Sequence, residues 1–530
     1  MKNLFQQLNK PLIYLLGASL FLNIFLIVFS NLGILPLKYV SDFIFYTLIC
    51  FALVIYRPKW GFLLFVSTIA LENINIAPNN FGIMIRPYQF IGGLTIIAVL
   101  VKMLAKNSEY RLPKFNLNDA LLLIFSLAGF ASALTSEFPK NAFKQSVIIV
   151  SFVGLYFLVR IFLKNILALK EVALFFFSSG ILISFYGVWQ NMRFANNLKA
   201  FEIMAGRPNA TFTEPDWLGM FCVFFLASLY SIMYYLKSRG LDKTENIILK
   251  ITLLFTILTL NLTLLIITVA RSAWVGAFLV SFIFLILVLT ELRWQPAKWH
   301  WREAILDKIF ILTALIVSLC LILFFHFTTF QLFNRVQSTG TGLQEITIAC
   351  PGNMDIIIPT VVSNESEYTR YSCQHIRLEE EEQEIANGSI INKIYRPDPN
   401  INLRSTIYQK SIAQIKEYWF FGIGWSNINA ILGKDERGAG LNSSNIFLEV
   451  WLGTGLLGFI AFIMMLLNFL ICGVQNFIYN RNDRKYLGVF IILALVGIII
   501  PNLFNAGAML GVLWLFFGIL SALPKTNLKQ

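Results

Sequence analysis

Charged residues are scarce in this 530-residue chain, which is 13% charged and 57% hydrophobic. A soluble domain usually carries about 25% charge, so the chain has too little polar surface to cover a globule of its size. Apolar runs of about 17–25 residues recur from one end to the other, and each is long enough to cross about 30 Å of hydrocarbon. The sequence therefore predicts an all-α, polytopic integral membrane protein.

Motifs of soluble enzymes are absent as well. The chain contains no P-loop, HExxH or CxxC motif. Its three histidines, His300, His326 and His375, are far apart in the sequence and do not have the spacing of a metal site. We therefore expect neither a metal ion nor another cofactor.

The basic residues indicate how the chain is oriented. The net charge is +13, which in a soluble protein would suggest nucleic-acid binding. Here the lysines and arginines lie in short loops between apolar runs, which is the pattern of the positive-inside rule, so we expect no nucleic-acid partner. With the N-terminus inside, every basic loop falls on the cytoplasmic side, and both termini are expected there.

Fourteen apolar helices are predicted, with a long polar segment near the C-terminal end. The first run is too long for a signal-peptide core and has no A-x-A-like cleavage site, so we expect it to be retained. Charge parity places residues 329–442 outside, as a large loop between the eleventh and twelfth helices. The chain then divides into helices 1–11 (1–328), the loop (329–442) and helices 12–14 (443–530). The predicted helices lie at about 12–30, 39–56, 59–73, 84–105, 119–135, 142–163, 170–191, 215–236, 246–269, 272–290, 306–328, 450–478, 487–502 and 506–522.

Two of the six cysteines, Cys350 and Cys373, lie in this exported loop, and the others lie in or beside apolar helices. An extracytoplasmic loop is exposed to oxidising conditions, which favours a disulfide between the two over a pair of free thiols.

Four arginines on the predicted outer side run against the orientation rule. Arginine at membrane depth is costly and by default marks a functional site. Its guanidinium donates a rigid fork of hydrogen bonds that suits phosphate, so a diphosphate carried on a lipid would fit such a cluster. The alternative is that each arginine reaches lipid headgroups or pairs locally with Glu72, Glu214 or Asp216. The four are Arg86, Arg207, Arg271 and Arg404.

Two polar clusters accompany these arginines. Glu214 and Asp216 stand at the start of a helix, where one carboxylate is a candidate general base or orients Arg207; the alternative is helix capping. The segment Asn442–Glu449 leads into a glycine-rich helix start, and capping is the alternative there too.

In these segments the chain resembles the bacterial O-antigen ligases and O-antigen polymerases, over roughly residues 200–475. Members of this superfamily carry a large periplasmic loop between late helices, flanked by short motifs in a fixed order. The matching segments are Arg207–Phe212 followed by Leu218-Gly219, then Ala270–Trp274, Arg404 upstream of Phe421–Trp425, Ser444–Glu449 and Gly455–Gly458.

The resemblance implies metal-independent glycosyl transfer at the outer membrane–water boundary, from a polyprenyl-diphosphate-linked oligosaccharide to a glycan or lipid acceptor. It implies that Arg207 and Arg404 hold the diphosphate leaving group. The other candidate catalytic residues are Ser444, Glu214 and Asp216. Candidate substrate-binding residues are Arg86, Arg271, Trp425, Asn445 and Glu449.

The chain departs from the ligases at Ser444, where they carry a histidine thought to help activate the acceptor hydroxyl. Serine is a poor base near neutral pH, so we expect Ser444 to cap the next helix. This favours a surface-polysaccharide polymerase in the bacterial cytoplasmic membrane, with its active face outside. The alternatives are a ligase acting on lipid A-core or protein, and a transporter or flippase of the lipid-linked glycan.

Overall fold

The structure is a computed structural model in which the chain is mostly helical. It divides into two compact units, one formed by residues 1–327 and 414–530 and the other by residues 328–413. The structure describes residues 10–105, 110–204, 206–238, 247–293, 295–328, 332, 343–352, 359–363, 366–376, 380–397, 399–433, 440–479 and 484–523.

Eighteen α-helices are present in the described residues, with short 3₁₀ turns at Asn79–Phe81, Pro296–Lys298 and Gly507–Met509. In chain order the helices are α1 (Lys10–Asn31), α2 (Val40–Tyr56), α3 (Pro58–Ser67), α4 (Pro87–Leu104), α5 (Leu117–Leu134), α6 (Pro139–Phe162), α7 (Ile166–Ala195), α8 (Pro215–Ser238), α9 (Ile247–Ile267), α10 (Arg271–Thr290), α11 (Trp301–Phe324), α12 (Ser366–Thr369), α13 (Glu381–Ala386), α14 (Pro399–Glu417), α15 (Ile428–Leu432), α16 (Ile446–Tyr479), α17 (Lys485–Asn502) and α18 (Gly511–Ala522).

The membrane-protein fold class is confirmed, but the count of fourteen crossings is not. Among the described residues, eleven helices are long and apolar enough to cross a membrane, or up to twelve if α2 and α3 form one span bent by 118°. Helix α3 has 10 residues and α18 has 12, whereas a crossing needs about 20. The predicted third helix continued to residue 73; instead it ends at Ser67, and the following turn brings Glu72 against Arg86.

Polar contacts join the ends of several of these helices in two separate clusters. In one cluster, Glu72 pairs with Arg86 and accepts a hydrogen bond from the amide of Gly511 at 2.6 Å. In the other, Asp119 pairs with Arg160, and the amide of Asn118 donates to the hydroxyl of Ser521 at 3.2 Å. Helix α18 therefore runs from the first cluster, here named the Glu72 end, to the second, named the Asp119 end. Charge parity predicts that the Glu72 end lies outside.

The second unit contains a small antiparallel sheet that the all-α prediction did not include. Its strands are β1 (Leu343–Pro351), β2 (Gln374–Ile376) and β3 (Ser389–Pro397), in the order β2–β1–β3. Ile346, Ile348 and Cys350 alternate along β1 and bury one face of the strand in a common core. A disulfide joins Cys350 to Cys373 within this core.

Candidate functional site

Arg207 lies at the Glu72 end, between α7 and α8, and its side chain is held in place by two oxygen acceptors. Nε donates to the carbonyl of Thr268 at 2.8 Å, and Nη2 donates to the carboxylate of Asp216 at 3.1 Å. Nη1 lies 3.8 Å from the sulfur of Met204, which is a weak acceptor. The guanidinium is therefore oriented by protein oxygens while Nη1 is still suited to a stronger, anionic acceptor.

Asp216 lies in the first turn of α8, where its negative charge also interacts favourably with the positive end of the helix dipole. Its side chain is 31% exposed and that of Arg207 is 17% exposed, so the pair is neither buried nor free in water. Of the two predicted roles for this carboxylate, orienting Arg207 is the one seen in the contacts. The backbone carbonyl of the neighbouring Glu214 accepts hydrogen bonds from the backbone amides of Trp217 and Leu218 at the start of α8.

Arg271 is the first residue of α10, only three positions after the Thr268 carbonyl that holds Arg207. The two arginines therefore share the corner between α9 and α10. Helix α8 reaches this corner because Gly219 has no side chain: a Cβ there would lie 2.8 Å from the Cβ of Ala273. Three of the sequence motifs thus meet at one place in the fold, which we call the Arg207 corner.

Arg86, unlike Arg207, pairs with a buried carboxylate. Its Nε lies 2.9 Å from the carboxylate of Glu72 and also donates to the Glu72 carbonyl at 2.8 Å. The same carboxylate, which is fully buried, accepts the hydroxyl of Tyr88 and the amide of Gly511. Removing one partner of a buried pair costs about 3–5 kcal/mol. The substrate-binding role expected for Arg86 loses support, because local pairing with Glu72 accounts for this arginine.

In the segment before α16, the residue that caps the helix differs from the one predicted. The side chain of Asn445 accepts the amides of Phe447 and Leu448 at 2.9 and 3.3 Å, so Asn445 is the N-cap. Ser444, expected to cap this helix, instead has a left-handed backbone with φ of 48° and donates its amide to the side chain of Asn442. The N-cap position that was expected for Ser444 is therefore occupied by its neighbour Asn445.

Glu449 is engaged by a serine that the sequence analysis did not single out. The buried hydroxyl of Ser443 donates to the Glu449 carboxylate at 2.5 Å. The side-chain amide of Asn445 donates to the carbonyl of Leu503 at 3.0 Å, which ties this segment to the end of α17. Since the amide of Asn505 also bonds Ser272 at 3.1 Å, the Asn442–Glu449 segment and the Arg207 corner are linked through residues 503–505.

Trp425 does not fit the substrate-binding role expected of it, because its side chain is only 1% exposed. Its ring packs edge-on against Phe125, and a side chain at Gly129 or Gly453 would collide with it. The glycine motifs around it are structural. Helix α16 breaks at Gly455, whose φ is 64°, and a Cβ there would lie 2.0 Å from the carbonyl of Phe420.

Arg404 belongs to the second unit, where it lies in α14 and is partly exposed. It therefore comes from a different unit than Arg207 and Arg271.

A cavity of about 210 Å³ adjoins the segment that follows Arg207. Three asparagines contribute amide groups to it, and Tyr186 and Phe201 contribute aromatic rings. The hydroxyl of Tyr186 accepts a hydrogen bond from Asn31 at 2.8 Å. Asn209, Ala210 and Thr211 belong to the Arg207–Phe212 motif, whereas the other lining residues come from α1, α7 and two loops and had no sequence signal. The lining consists of Ile27, Ser30, Asn31, Asn73, Ile74, Tyr186, Phe201, Asn209, Ala210 and Thr211.

Glu202 is a further residue that the sequence analysis missed. It lies between α7 and α8, where one carboxylate oxygen accepts the amide of Gly206 at 2.9 Å. The other oxygen is buried and has no hydrogen-bond partner within the described part of the chain. Burial raises the pKa of Glu202 to about 7, although the Gly206 amide opposes the shift. A lone carboxylate in the apolar stretch Phe201–Met204 was the available signal.

A comparison with known protein families covers several of these motifs. Residues 253–463 match the family model described as O-Antigen ligase. The match includes Arg271, Arg404 and the Asn442–Glu449 segment, and it begins after Arg207. No curated protein and no solved structure matches the chain significantly. The match indicates a ligase- or polymerase-type role in glycan assembly, and it confirms that this chain resembles the O-antigen ligase and polymerase superfamily.

Proposed function

We propose that this protein joins polyprenyl-diphosphate-linked glycan units at the outer face of the bacterial cytoplasmic membrane and so polymerises a surface polysaccharide. The observation that carries the proposal is the Arg207 corner, where an oriented guanidinium lies beside the first residue of α10, Arg271. Two cations at a helix corner suit a diphosphate at the membrane boundary better than a neutral ligand.

In the proposed reaction, an acceptor hydroxyl attacks the anomeric carbon of the donor sugar. A carbon–oxygen bond forms, the bond from that carbon to the diphosphate breaks, and the polyprenyl diphosphate leaves with the electron pair. Arg207 and Arg271 stabilise the charge that develops on the leaving oxygen. The diphosphate-binding role of Arg404, which lies in the second unit, is proposed from the resemblance alone. This charge stabilisation is the role a metal ion has in other diphosphate-using enzymes, so we expect metal-independent transfer.

The proton of the acceptor hydroxyl needs a base, and Glu202 is the best candidate. Of the two carboxylates predicted for this role, Asp216 is paired with Arg207, and Glu214 is placed by its backbone carbonyl at the start of α8. The carboxylate of Glu449, expected to bind substrate, accepts a hydrogen bond from the hydroxyl of Ser443. Glu202 instead has a buried oxygen with no hydrogen-bond partner among the described residues, and its pKa is raised to about 7, close to the value at which a general base is most effective.

The cavity beside residues 209–211 is proposed to hold one sugar residue of the donor or the acceptor. Its volume of about 210 Å³ is below the range of about 300–1,000 Å³ typical of drug-sized ligands. Amide groups of Asn31, Asn73 and Asn209 supply donors and acceptors for sugar hydroxyls, and the lining carries no formal charge.

A ligase is the second candidate, because the matching family model is described as O-Antigen ligase. Against it stands Ser444 in place of the ligase histidine. Because Asn445 is the N-cap of α16, substitution of Ser444 leaves that cap in place and is informative. If the chain polymerises with Glu202 as base, Ser444→Ala should keep substantial activity, whereas loss of activity equal to that of Arg207→Gln would favour an acceptor-activating role.

Deletion of the gene, followed by examination of the surface glycan on a gel, tests the proposal. Chains limited to one repeat identify a polymerase. Accumulation of long lipid-linked chains identifies a ligase, and precursor trapped in the cytoplasm identifies a flippase. Complementation with Arg207→Lys should fail while the protein still inserts, because lysine keeps the charge but loses the fork. Complementation with Lys298→Gln, an exposed charge in the segment between α10 and α11, should succeed.

A further inference from the structure

We propose that a cavity at the Asp119 end binds an anionic phospholipid, with its headgroup at a basic rim and part of an acyl chain against an apolar wall. The cavity has a volume of about 800 Å³ and lies among the ends of α5, α6, α16, α17 and α18. It is separate from the Arg207 corner, since α18 runs between the two ends of the bundle. The proposal does not depend on the function proposed above.

The charge of the cavity is strongly positive. Arg111, Lys114, Arg160 and Lys164 line it. The nearby carboxylate of Asp119 is already paired with Arg160 and accepts the hydroxyl of Tyr156 at 2.7 Å. Among the described residues around the cavity, four basic side chains thus accompany the one carboxylate of Asp119, which favours an anionic ligand.

Arg160 adds a second argument. Its side chain is only 6% exposed, and Nη2 donates to the carbonyl of Lys114 at 3.0 Å. Its Nε is buried and has no hydrogen-bond partner in the part of the chain that the structure describes. An unsatisfied buried donor of a charged group is costly, and the same arginine contributes to the cavity lining, where an anionic headgroup would stabilise its charge.

The rest of the lining distinguishes a lipid from a free anion. Phe469, Ile491 and Leu520 supply apolar surface that inorganic phosphate cannot use. Asn118 supplies a polar wall, since it accepts the amide of Asn468 at 2.6 Å and donates to Ser521. Basic pockets between membrane helices are recurrent sites for anionic headgroups.

The test compares a cavity variant with a matched surface variant. Arg111→Gln with Lys114→Gln removes two exposed cationic side chains from the cavity rim. Lys298→Gln with Arg302→Gln removes two exposed cationic side chains that lie outside its lining. Binding of phosphatidylglycerol, phosphatidylcholine and inorganic phosphate to the full-length protein in detergent is followed by native mass spectrometry and by the thermal unfolding midpoint.

We expect the wild type and the surface variant to bind phosphatidylglycerol and to gain thermal stability from it, but to show little response to phosphatidylcholine. The cavity variant should bind phosphatidylglycerol about thirtyfold more weakly, given about tenfold for each 1.4 kcal/mol and about 1 kcal/mol for each basic residue. Unchanged binding by the cavity variant would overturn the proposal. An equal response to phosphatidylcholine, or saturation of the effect by inorganic phosphate alone, would also overturn it.

Discussion

Replacement of Glu202 by glutamine is expected to change activity and stability in opposite directions. The substitution keeps a carbonyl oxygen that can accept the amide of Gly206 but removes the titrating proton. If Glu202 is the general base, the wild-type rate should rise with pH through about 7, the pKa of its carboxyl. The variant should be slower by about 10²–10⁴-fold, which is the usual contribution of general-base catalysis, and its rate should lack this rise.

The effect on stability follows from the raised pKa. Burial favours the protonated carboxyl in the folded state, so this stability is fully present below about pH 4.5 and is lost as the pH rises through about 7. A shift from 4.5 to about 7 corresponds to about 3 kcal/mol, which partial exposure reduces to about 2 kcal/mol. Glutamine is neutral throughout, so the variant should unfold at a higher temperature than the wild type at pH 8 and at nearly the same temperature at pH 4.5.

The assay is polymer formation from lipid-linked donor by purified protein between pH 5 and 9, together with thermal unfolding in the same buffers. Glu137→Gln serves as the control, because Glu137 is an exposed carboxylate between α5 and α6. A variant with wild-type rate and pH profile would remove Glu202 from catalysis. A stability difference that does not depend on pH would refute the argument from burial.

Three further predictions concern the second unit and the topology. Arg404→Lys should abolish most activity while the protein still inserts, as judged by the glycan ladder at matched expression, since only arginine supplies the fork. Mass spectrometry of non-reduced peptides should find Cys350 linked to Cys373; their separation of 23 positions makes the link worth about 3 kcal/mol in the chain-entropy model. An impermeant maleimide should label a cysteine at Gln409 in intact cells but not one at Lys170, and the reverse pattern would invert the topology.

The helices were predictable because hydrophobicity is a local property of a window of about 20 residues. Helix α6, predicted at about 142–163, spans Pro139–Phe162, and α17, predicted at about 487–502, spans Lys485–Asn502. The end of α3 was not predictable in the same way. It depends on Glu72, whose carboxylate accepts the amide of Gly511, a residue 439 positions away in the sequence. A local window contains no information on that contact.

The sheet of the second unit was missed for a different reason. Its strand β1 alternates Ile346, Ile348 and Cys350 on one face, which is the period of a half-buried strand. That signal was outweighed by the polar composition of the whole segment. Strand β2 has only three residues and is held by pairing with β1 and by the disulfide, so its own sequence could hardly predict it.

The arginines show where prediction of the site reached its limit. Charge parity singled out Arg86 and Arg207 by the same argument, and both lie at the Glu72 end. What separates them is the acceptor that each one meets. Arg86 meets a carboxylate that is 0% exposed and is shared with Tyr88 and Gly511, whereas Arg207 meets one that is 31% exposed, and its Nη1 faces a sulfur. In the first arrangement the carboxylate is fully enclosed by protein donors, so a ligand cannot replace it as the partner of Arg86, and Arg86 stabilises the fold. The second leaves Nη1 of Arg207 against a weak sulfur acceptor that an anion could replace, and for that reason Arg207 rather than Arg86 is the residue to test first for diphosphate binding.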